Sequence, residues 1–302
     1  MILRNVIAII LLLIVYPGSA VAGEAAAAID YGRPLYGRID PGLLATGYSG
    51  KETLVYDVSW TGGIKIGELH LQVNALDGKT DEYEIRAEVT TKNGAIHLIY
   101  PIEDLHVTKV RGPHRLPYHY EIWQKEGYKY RAHRVIEYDQ ERGKIRYTKN
   151  NKIEGLFQVE GETNNEFSSF FNSRLMDFAI GSRFIVPTFA DKKRVEVVVN
   201  AVTRKHFEKT LLGPVTAVEI MPIMNFKGLY EKKGDTVIWY TDDECRVPVQ
   251  INSKIIIGSL TAELVAYDNP ACSRYAGIAK KSKSKSGSLS ESKTHTEVQK
   301  IR

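Results

Sequence analysis

The chain has 302 residues, of which 43% are hydrophobic and 25% are charged, and a formal net charge of +5. These values are typical of a globular protein, and they exclude a collagen-like fibre, a disordered chain and a polytopic membrane protein. The presence of two cysteines excludes a disulfide-dense scaffold and a zinc site made of four thiolates.

The first 22 residues have the pattern of a cleaved export signal. Arg4 precedes an apolar run over 6–16, and small residues at 20 and 22 supply a cleavage site. The apolar run is shorter than the roughly 20 residues that span a bilayer. We therefore predict a signal peptide at 1–22 and a periplasmic location for the mature protein. A membrane anchor is the alternative.

Composition divides the rest of the chain into three parts. Residues 23–50 are rich in Ala, Gly and Pro, and we predict an N-terminal arm or linker there. Residues 51–273 are predicted to form a β domain. Residues 274–302 contain eight Lys and Arg against two Glu, with few aromatic residues, which predicts a disordered basic tail.

The positive charge of the chain lies mainly in this tail. The predicted β domain is slightly acidic once the tail and the signal segment are set aside, so we expect no nucleic-acid partner. The tail is either a solvated end or a contact for an anionic surface. The lysines that would make such a contact are Lys280, Lys281, Lys283 and Lys285.

From Leu54 onward, apolar and polar residues alternate, as they do in strands with one buried face. Leu54, Tyr56 and Val58 share a face, and turn pairs such as Asp77-Gly78 separate the runs. About a dozen strands are predicted, more than a flat open sheet accommodates well. The fold class is therefore mainly β, with a single curved antiparallel sheet that forms a half-barrel or barrel-like fold.

One short helix is predicted between two β halves. Thr163 and Glu166 fit a capping box, and Gly181 is expected to end the element. We expect this helix to cover the concave side of the sheet, either as core packing or as a lid over a groove. Its aromatic and apolar face consists of Phe167, Phe170, Phe171, Leu175 and Phe178.

In an oxidising compartment the two cysteines are expected to form a disulfide, Cys245–Cys272. The two strands flanking Gly258 are predicted to form a hairpin in which Ile256 faces Ser259. This register places Cys245 opposite position 270, two residues from Cys272. A redox-active pair is the alternative, but C-x-x-C spacing is absent from the sequence.

The sequence has no nucleophile elbow, no phosphate-binding loop and no dinucleotide fingerprint. Asp242 and Asp243 lie in the densest acidic cluster of the β domain, and the histidines are dispersed. Paired carboxylates suit acid/base or metal chemistry, but they also suit a turn at the end of a strand. We predict no catalytic residue, no metal and no cofactor, with a hydrolase that uses Asp242, Asp243 or the histidines as an alternative.

Tyrosines are concentrated in one predicted hairpin. Tyr128, Tyr130 and Tyr138 alternate on one face, with Arg134 among them. Such a face suits a ligand that has an apolar or sugar body and an anionic group, although tyrosine also favours strands for packing alone. The candidate ligand-binding residues are Tyr128, Tyr130, Arg134, Tyr138, Phe167 and Phe171.

Three stretches carry the pattern of a known family. Residues 54–73 read LVYDVSWTGGIKIGELHLQV, 126–139 read EGYKYRAHRVIEYD, and 228–267 read GLYEKKGDTVIWYTDDECRVPVQINSKIIIGSLTAELVAY. Together they resemble the bacterial exported family called domain of unknown function DUF-3108. The resemblance covers roughly 54–267 and implies an envelope protein of curved antiparallel β architecture, without assigned catalytic residues.

We expect a non-enzymatic periplasmic protein that binds an apolar or amphipathic component of the cell envelope. A lipid, a lipidated protein and a glycan are the candidate partners, and the fold-level likeness to open-barrel carriers is an analogy. One alternative is an envelope assembly or scaffold factor that binds another protein through a sheet edge or the tail. The second alternative is the hydrolase described above.

Overall fold

The structure is a computed structural model that describes residues 34–225, 236–255 and 258–278. The predicted signal peptide at 1–22 lies outside these residues, as do Lys280, Lys281, Lys283 and Lys285 of the predicted tail. Across the described ranges, no helix has the length and apolar character that a membrane span requires.

The described residues form fifteen strands, all of which belong to one sheet. Their bounds are β1 (Leu35–Tyr36), β2 (Lys51–Trp60), β3 (Ile64–Ala75), β4 (Glu82–Thr90), β5 (Ile102–Arg111), β6 (Leu116–Glu126), β7 (Tyr130–Asp139), β8 (Lys144–Lys149), β9 (Lys152–Gln158), β10 (Arg183–Ala190), β11 (Lys193–Phe207), β12 (Val215–Asn225), β13 (Thr236–Thr241), β14 (Pro248–Lys254) and β15 (Ser259–Asp268).

The sheet consists of two antiparallel halves. In one half, β2 to β9 pair in chain order; in the other, β10 to β15 do the same. The halves are joined where β15 pairs with β2, with Tyr267 opposite Leu54. The short strand β1 adds to β10 in parallel. This architecture confirms the predicted mainly β fold with a single curved antiparallel sheet.

The sheet curls until its two end regions touch. The Phe157 ring of β9 lies 5.2 Å from the Phe189 ring of β10, and Lys192 Nζ lies 2.7 Å from Glu154 Oε2. No ladder joins β9 to β10 in the described part of the chain, so side chains make the contact there. The result is a barrel-like sheet that remains open.

Alternation along the strands explains the core. In β2 the side chains of Leu54, Tyr56 and Val58 are buried, and their sequence neighbours are more accessible. The same pattern in the other strands builds one continuous hydrophobic core on the concave side of the sheet. Hydrophobic burial of this kind is the main favourable contribution to folding.

Helix α2 (Glu166–Ser173) lies between the two halves and packs on the concave side. Every residue of this helix from Phe167 to Ser173 is buried, so burial extends beyond the aromatic face that the spacing predicted. Its cap differs from the prediction, because Asn165 and Ser168 form the capping box while the Thr163 hydroxyl donates to the Gly161 carbonyl. The helix ends at Ser173, well before Gly181, and the chain continues through buried Leu175 and Phe178 without helical structure.

The folded part extends beyond both predicted borders of the β domain. Within 34–50, β1 pairs with β10, and helix α1 (Pro41–Gly47) packs so closely that a Cβ on Gly47 would lie 2.5 Å from Leu175 Cδ2. At the other end, Ser273–Tyr275 forms a 3-10 turn with Tyr275 buried. A disordered tail would therefore begin later than residue 274.

The predicted disulfide between Cys245 and Cys272 is confirmed, with the two Cα atoms 5.6 Å apart. The predicted register of the adjacent hairpin is wrong by two residues, because Lys254 faces Ser259. Asn269 accounts for the bridge despite this shift, since its backbone carbonyl and side chain hold the turn that carries Cys272. The bridge fastens the open end of β14 and β15.

Candidate functional site

Polar side chains interrupt the hydrophobic core on the concave faces of β5 and β6. Asp104 and Gln124 face each other across these strands, and both are buried. Gln124 Nε2 donates to Glu126 Oε1 at 2.9 Å, and Asp104 Oδ1 accepts from the Lys125 backbone N–H at 2.9 Å. Burial raises the pKa of Asp104, while the hydrogen bonds that it accepts from the Lys125 backbone N–H and, at 3.4 Å, from Gln124 Nε2 act in the opposite direction. A buried polar group of this kind is costly unless it is satisfied.

Arg134 of β7 extends into the same interior region. Its guanidinium donates from Nη1 to Gln124 Oε1, and from Nη2 to the Tyr130 hydroxyl at 2.8 Å. Its Nε is buried and has no acceptor among the described residues. The described part of the chain also provides no carboxylate within ion-pair distance of Arg134. Arg134 therefore has one buried donor, Nε, without an acceptor in the described structure, and its charge acts on Asp104 and Glu166 from beyond ion-pair distance.

Glu166 contributes a second unsatisfied atom from the first turn of α2. Its Oε2 is buried and accepts no hydrogen bond from any described residue. Burial raises the pKa of Glu166 to about 7, its own backbone N–H and the charge of Arg134 lower it, and the charge of Asp191 raises it. The carboxyl group is therefore divided between its protonated and ionised forms near neutral pH.

Tyr138 of β7 provides a third unsatisfied atom, since its buried hydroxyl has no partner in the described ranges. Burial raises the pKa of Tyr138, and the charge of Glu166 raises it further. Arg134 and Tyr138 thus both interact electrostatically with Glu166. We refer to Asp104, Gln124, Arg134, Tyr138 and Glu166 as the interior polar cluster.

An aromatic wall borders this cluster. The Phe167 ring lies 5.0 Å from the His106 ring and 6.1 Å from the Tyr120 ring, and His106 Nδ1 lies 2.8 Å from the Tyr120 hydroxyl. Burial, with a smaller contribution from Arg134, lowers the pKa of His106 to about 3. His106 is consequently a neutral imidazole that packs and hydrogen-bonds, and it adds no charge to the interior.

The structure brings together four of the six predicted ligand-binding residues. Tyr130, Arg134 and Tyr138 alternate on the concave face of β7, and Phe167 of α2 packs against His106 and Tyr120 beside the cluster. Phe171 is fully buried beside Phe170 in the core, with no described contact to the cluster. The placement of Tyr128 was wrong. It lies in the turn between β6 and β7, is 70% exposed, and donates to the Leu98 carbonyl at 2.6 Å.

The sequence patterns identified neither Gln124 nor Asp104 as a candidate site residue. They also indicated Glu166 only as a cap residue. The signal that identifies them is alternation in which the inward positions are partly polar, as in Ile102, Asp104 and His106 of β5. Hydrophobic periodicity alone does not recognise such a strand.

The carboxylates of the hydrolase alternative have structural partners. Asp242 Oδ2 accepts from Arg204 Nε at 2.6 Å, and Asp243 Oδ1 accepts from the backbone N–H of Cys245 at 2.9 Å. No histidine in the described ranges hydrogen-bonds to either aspartate, and these ranges contain no group of three or more metal-ligating side chains. Asp243 stabilises the turn after β13, which is the structural interpretation of this acidic cluster.

Comparison with known proteins shows the family of the chain and a structural neighbour of it. The family described as "Protein of unknown function (DUF3108)" matches residues 55–265, which include the interior polar cluster. A crystal structure of a β-barrel-like protein of domain of unknown function DUF1849, from Brucella abortus, has 10% sequence identity and a TM-score of 0.49, covering 72% of this chain and 97% of that chain. No curated protein matches the sequence.

Proposed function

This chain belongs to the DUF3108 family of proteins of unknown function, and we propose that it is a non-enzymatic periplasmic binding protein. Its ligand would be an amphipathic component of the cell envelope, such as a lipid, a lipidated protein or a glycan, that carries an anionic group. The anionic group would contact Arg134, and the rest of the ligand would lie against the concave face of the sheet.

The observation that carries this proposal is the buried Nε of Arg134, which has no hydrogen-bond acceptor among the described residues, on a guanidinium that forms no ion pair with a described carboxylate. Removing a charged group from water without a paired countercharge costs several kcal/mol, so such groups are usually paired. A carboxylate or phosphate matches the planar donors of arginine. An oxyanion beside Arg134 would satisfy Nε, which has no acceptor among the described residues.

Two neighbouring groups support an anionic ligand over a neutral one. The Tyr138 hydroxyl has an unused proton, and Glu166, when protonated, is a donor as well. Both would hydrogen-bond to an oxyanion that Arg134 holds. The Phe167 ring beside the cluster suits the apolar part of an amphiphile.

A periplasmic location is supported by two observations of different kinds. The first 22 residues have the pattern of an export signal. The Cys245–Cys272 bridge is a second observation, because disulfides form and persist in oxidising compartments. An alkaline phosphatase fusion to residues 1–22 tests the location directly, since that enzyme is active only after export.

The experiment that tests ligand binding compares two amphiphiles with the same alkyl chain. We expect the protein to bind dodecyl phosphate more tightly than dodecyl maltoside, measured by isothermal titration calorimetry below the critical micelle concentrations. Arg134→Met should weaken dodecyl phosphate binding about tenfold or more, because a hydrogen-bonded charged group contributes about 1.5 to 3 kcal/mol. Maltoside binding should change little.

Arg146→Met is the matched control, since Arg146 lies exposed on the outer face of neighbouring β8. Mass spectrometry of lipids and glycans extracted from protein purified from its native host provides the second readout. Recovery of no such component, together with equal dodecyl phosphate binding by the wild type and Arg134→Met, would reject the proposal.

The assembly-factor alternative has one observation in its favour. Strand β9 is the last strand of its half and pairs with β8 alone in the described structure. Its outer face carries Ile153 and Leu156, which are 63% and 72% exposed. Edge strands of this kind accept strands from partner proteins. Crosslinking in cells that yields one protein partner, lost on deletion of 274–302 or on Leu156→Lys, would favour this alternative.

A further inference from the structure

Three of the most exposed large apolar side chains lie together in the loops at one end of the barrel-like sheet. Leu98 and Ile99, in the loop between β4 and β5, are 85% and 75% exposed. Tyr128, in the turn between β6 and β7, is 70% exposed and bonds through its hydroxyl to the Leu98 carbonyl. Single exposed apolar residues are common on proteins, but adjacent ones on neighbouring loops mark an interaction surface. We call Leu98, Ile99 and Tyr128 the apolar tip.

The apolar tip is held in place by the fold. The backbone N–H groups of Ile99 and Tyr100 both donate to the Ile96 carbonyl, at 3.0 and 2.8 Å, which forms a tight turn. Ile96 and Tyr100 are partly buried and pack against the hydrophobic core, so they anchor this turn. Gly127 allows the close approach of the second loop, because a Cβ at this position would lie 3.0 Å from the Tyr100 ring.

Basic residues surround the apolar tip. Lys92 and Lys125 flank it and share Glu103, whose carboxylate oxygens lie 3.4 and 3.8 Å from their ammonium groups. Lys129 and Arg131 follow Tyr128 directly and are exposed. Segments 91–103 and 123–131 together contain four basic residues and two acidic ones. The two segments that carry the tip therefore have an excess of positive charge.

We propose that the apolar tip docks on the surface of an anionic lipid bilayer. Leu98, Ile99 and Tyr128 would enter the headgroup region, where amphipathic tyrosine and aliphatic side chains partition favourably. The surrounding Lys and Arg side chains would contact anionic headgroups, with their alkyl stems along the apolar boundary. This inference stands apart from ligand binding at Arg134, since it depends on a different set of residues.

The topology places this surface near the interior polar cluster. Strands β4 and β6 end, and strands β5 and β7 begin, at the same end of the barrel-like sheet. Tyr130, which accepts from Arg134, is two residues from Tyr128. A docked protein would therefore have this end of its concave face next to the bilayer.

Cosedimentation of the full mature chain with vesicles tests the proposal. We expect binding to vesicles of phosphatidylcholine and phosphatidylglycerol at a 3:1 ratio, with weaker binding to pure phosphatidylcholine and a decrease at high salt. Leu98→Ser combined with Ile99→Ser should reduce the partition coefficient about fivefold or more, because the apolar contribution is removed. In Tyr128→Trp, tryptophan emission should shift to shorter wavelength when the anionic vesicles are added.

Ile153→Ser combined with Leu156→Ser is the matched control, because these two aliphatic residues are similarly exposed but lie on β9. This variant should bind like the wild type. Absence of vesicle binding by the wild type would overturn the proposal. So would an unchanged partition of the Leu98/Ile99 variant, which would place the binding elsewhere, for example in the basic tail. A dimer in sedimentation velocity that dissociates in the Leu98/Ile99 variant would assign the tip to self-association instead.

Discussion

Arg174 and Glu52 form a two-point ion pair in which neither side chain is exposed to solvent. Arg174 Nη1 lies 2.8 Å from Glu52 Oε2, and Nη2 lies 2.9 Å from Oε1. The same guanidinium donates to the Cys245 carbonyl at 3.1 Å, and Asn269 donates to the Glu52 carboxylate. The pair thus connects the segment after α2 with β2 and the disulfide region.

We expect Glu52→Gln to lower the free energy of unfolding by about 3 to 5 kcal/mol, because it leaves a buried, uncompensated guanidinium. Urea unfolding followed by circular dichroism measures this change. Glu88→Gln provides the comparison, since Glu88 pairs with Arg86 at 2.7 Å on the solvent side and should contribute less than about 1 kcal/mol. Similar losses in the two variants would contradict the expected importance of burial.

The Cys245–Cys272 disulfide closes a loop with a sequence separation of 27. Loop-closure entropy for this length corresponds to about 3.5 kcal/mol, so combining Cys245→Ser with Cys272→Ser should destabilise the protein by about 2 to 4 kcal/mol. Adding reductant to the wild type should shift its urea midpoint in the same direction. Reductant should leave the double serine variant unchanged. An identical midpoint for the oxidised wild type and the serine variant would disprove the prediction.

Asn165 caps helix α2 and also donates to the Thr108 hydroxyl of β5 at 2.7 Å. Asn165→Ala removes both interactions in a buried setting, and we expect a loss of about 1 to 3 kcal/mol. Thr163→Val is the informative companion variant, because Thr163 makes no cap to this helix; its cost should stay below about 1.5 kcal/mol. Chemical unfolding measures the loss of unfolding free energy in each variant. A larger loss for Thr163→Val than for Asn165→Ala would contradict the prediction.

Glu166 should make stability decrease with rising pH. Its pKa lies near 7 in the folded chain and at 4.5 without the fold's influence. Between these values the unfolded chain has released a proton that the folded chain retains, so the free energy of unfolding decreases as pH rises. The contribution is fully present below about pH 4.5 and is lost above about pH 7.

The measurement that isolates this group is the difference in unfolding free energy between Glu166→Gln and the wild type at pH 5 and pH 8. The neutral amide should stabilise the protein by about 1 to 3 kcal/mol more at pH 8 than at pH 5. Glu160→Gln, at an exposed position before the helix, should give nearly the same difference at both pH values. A pH-independent effect of Glu166→Gln would contradict the raised pKa.

Local patterns were sufficient to predict the fold class and the core face of many strands. Leu54, Tyr56 and Val58 were predicted on one face of β2 and are buried together. The disulfide was predicted correctly although the register was not, because the hydrogen-bonded turn at Asn269 brings Cys272 to Cys245. Backbone geometry makes successive side chains of a strand point to opposite faces of the sheet. Alternation is therefore visible in the sequence of any strand that has one buried face and one solvent-exposed face.

The candidate site was harder to predict, for a physical reason. In β5 the inward positions include Asp104, His106 and Thr108, so the strand that carries the site lacks the hydrophobic alternation of its neighbours. Tyr128 was assigned to the sheet because its spacing continues that of Tyr130, but the chain leaves the strand at the turn. Arg134 and Glu166 lie in one cluster because of the way α2 packs across the sheet. Local periodicity carries no information about this packing.

The pairing of β15 with β2 also determines when the sheet can be completed during synthesis. Leu54 emerges early and Tyr267 late, yet they face each other in the ladder that unites the halves. Until β15 is available, β2 has one vacant edge, and the sheet remains two separate antiparallel segments. Contacts between residues so distant in sequence slow folding. The ladder on this edge of β2 can therefore form only after the chain has been made as far as β15.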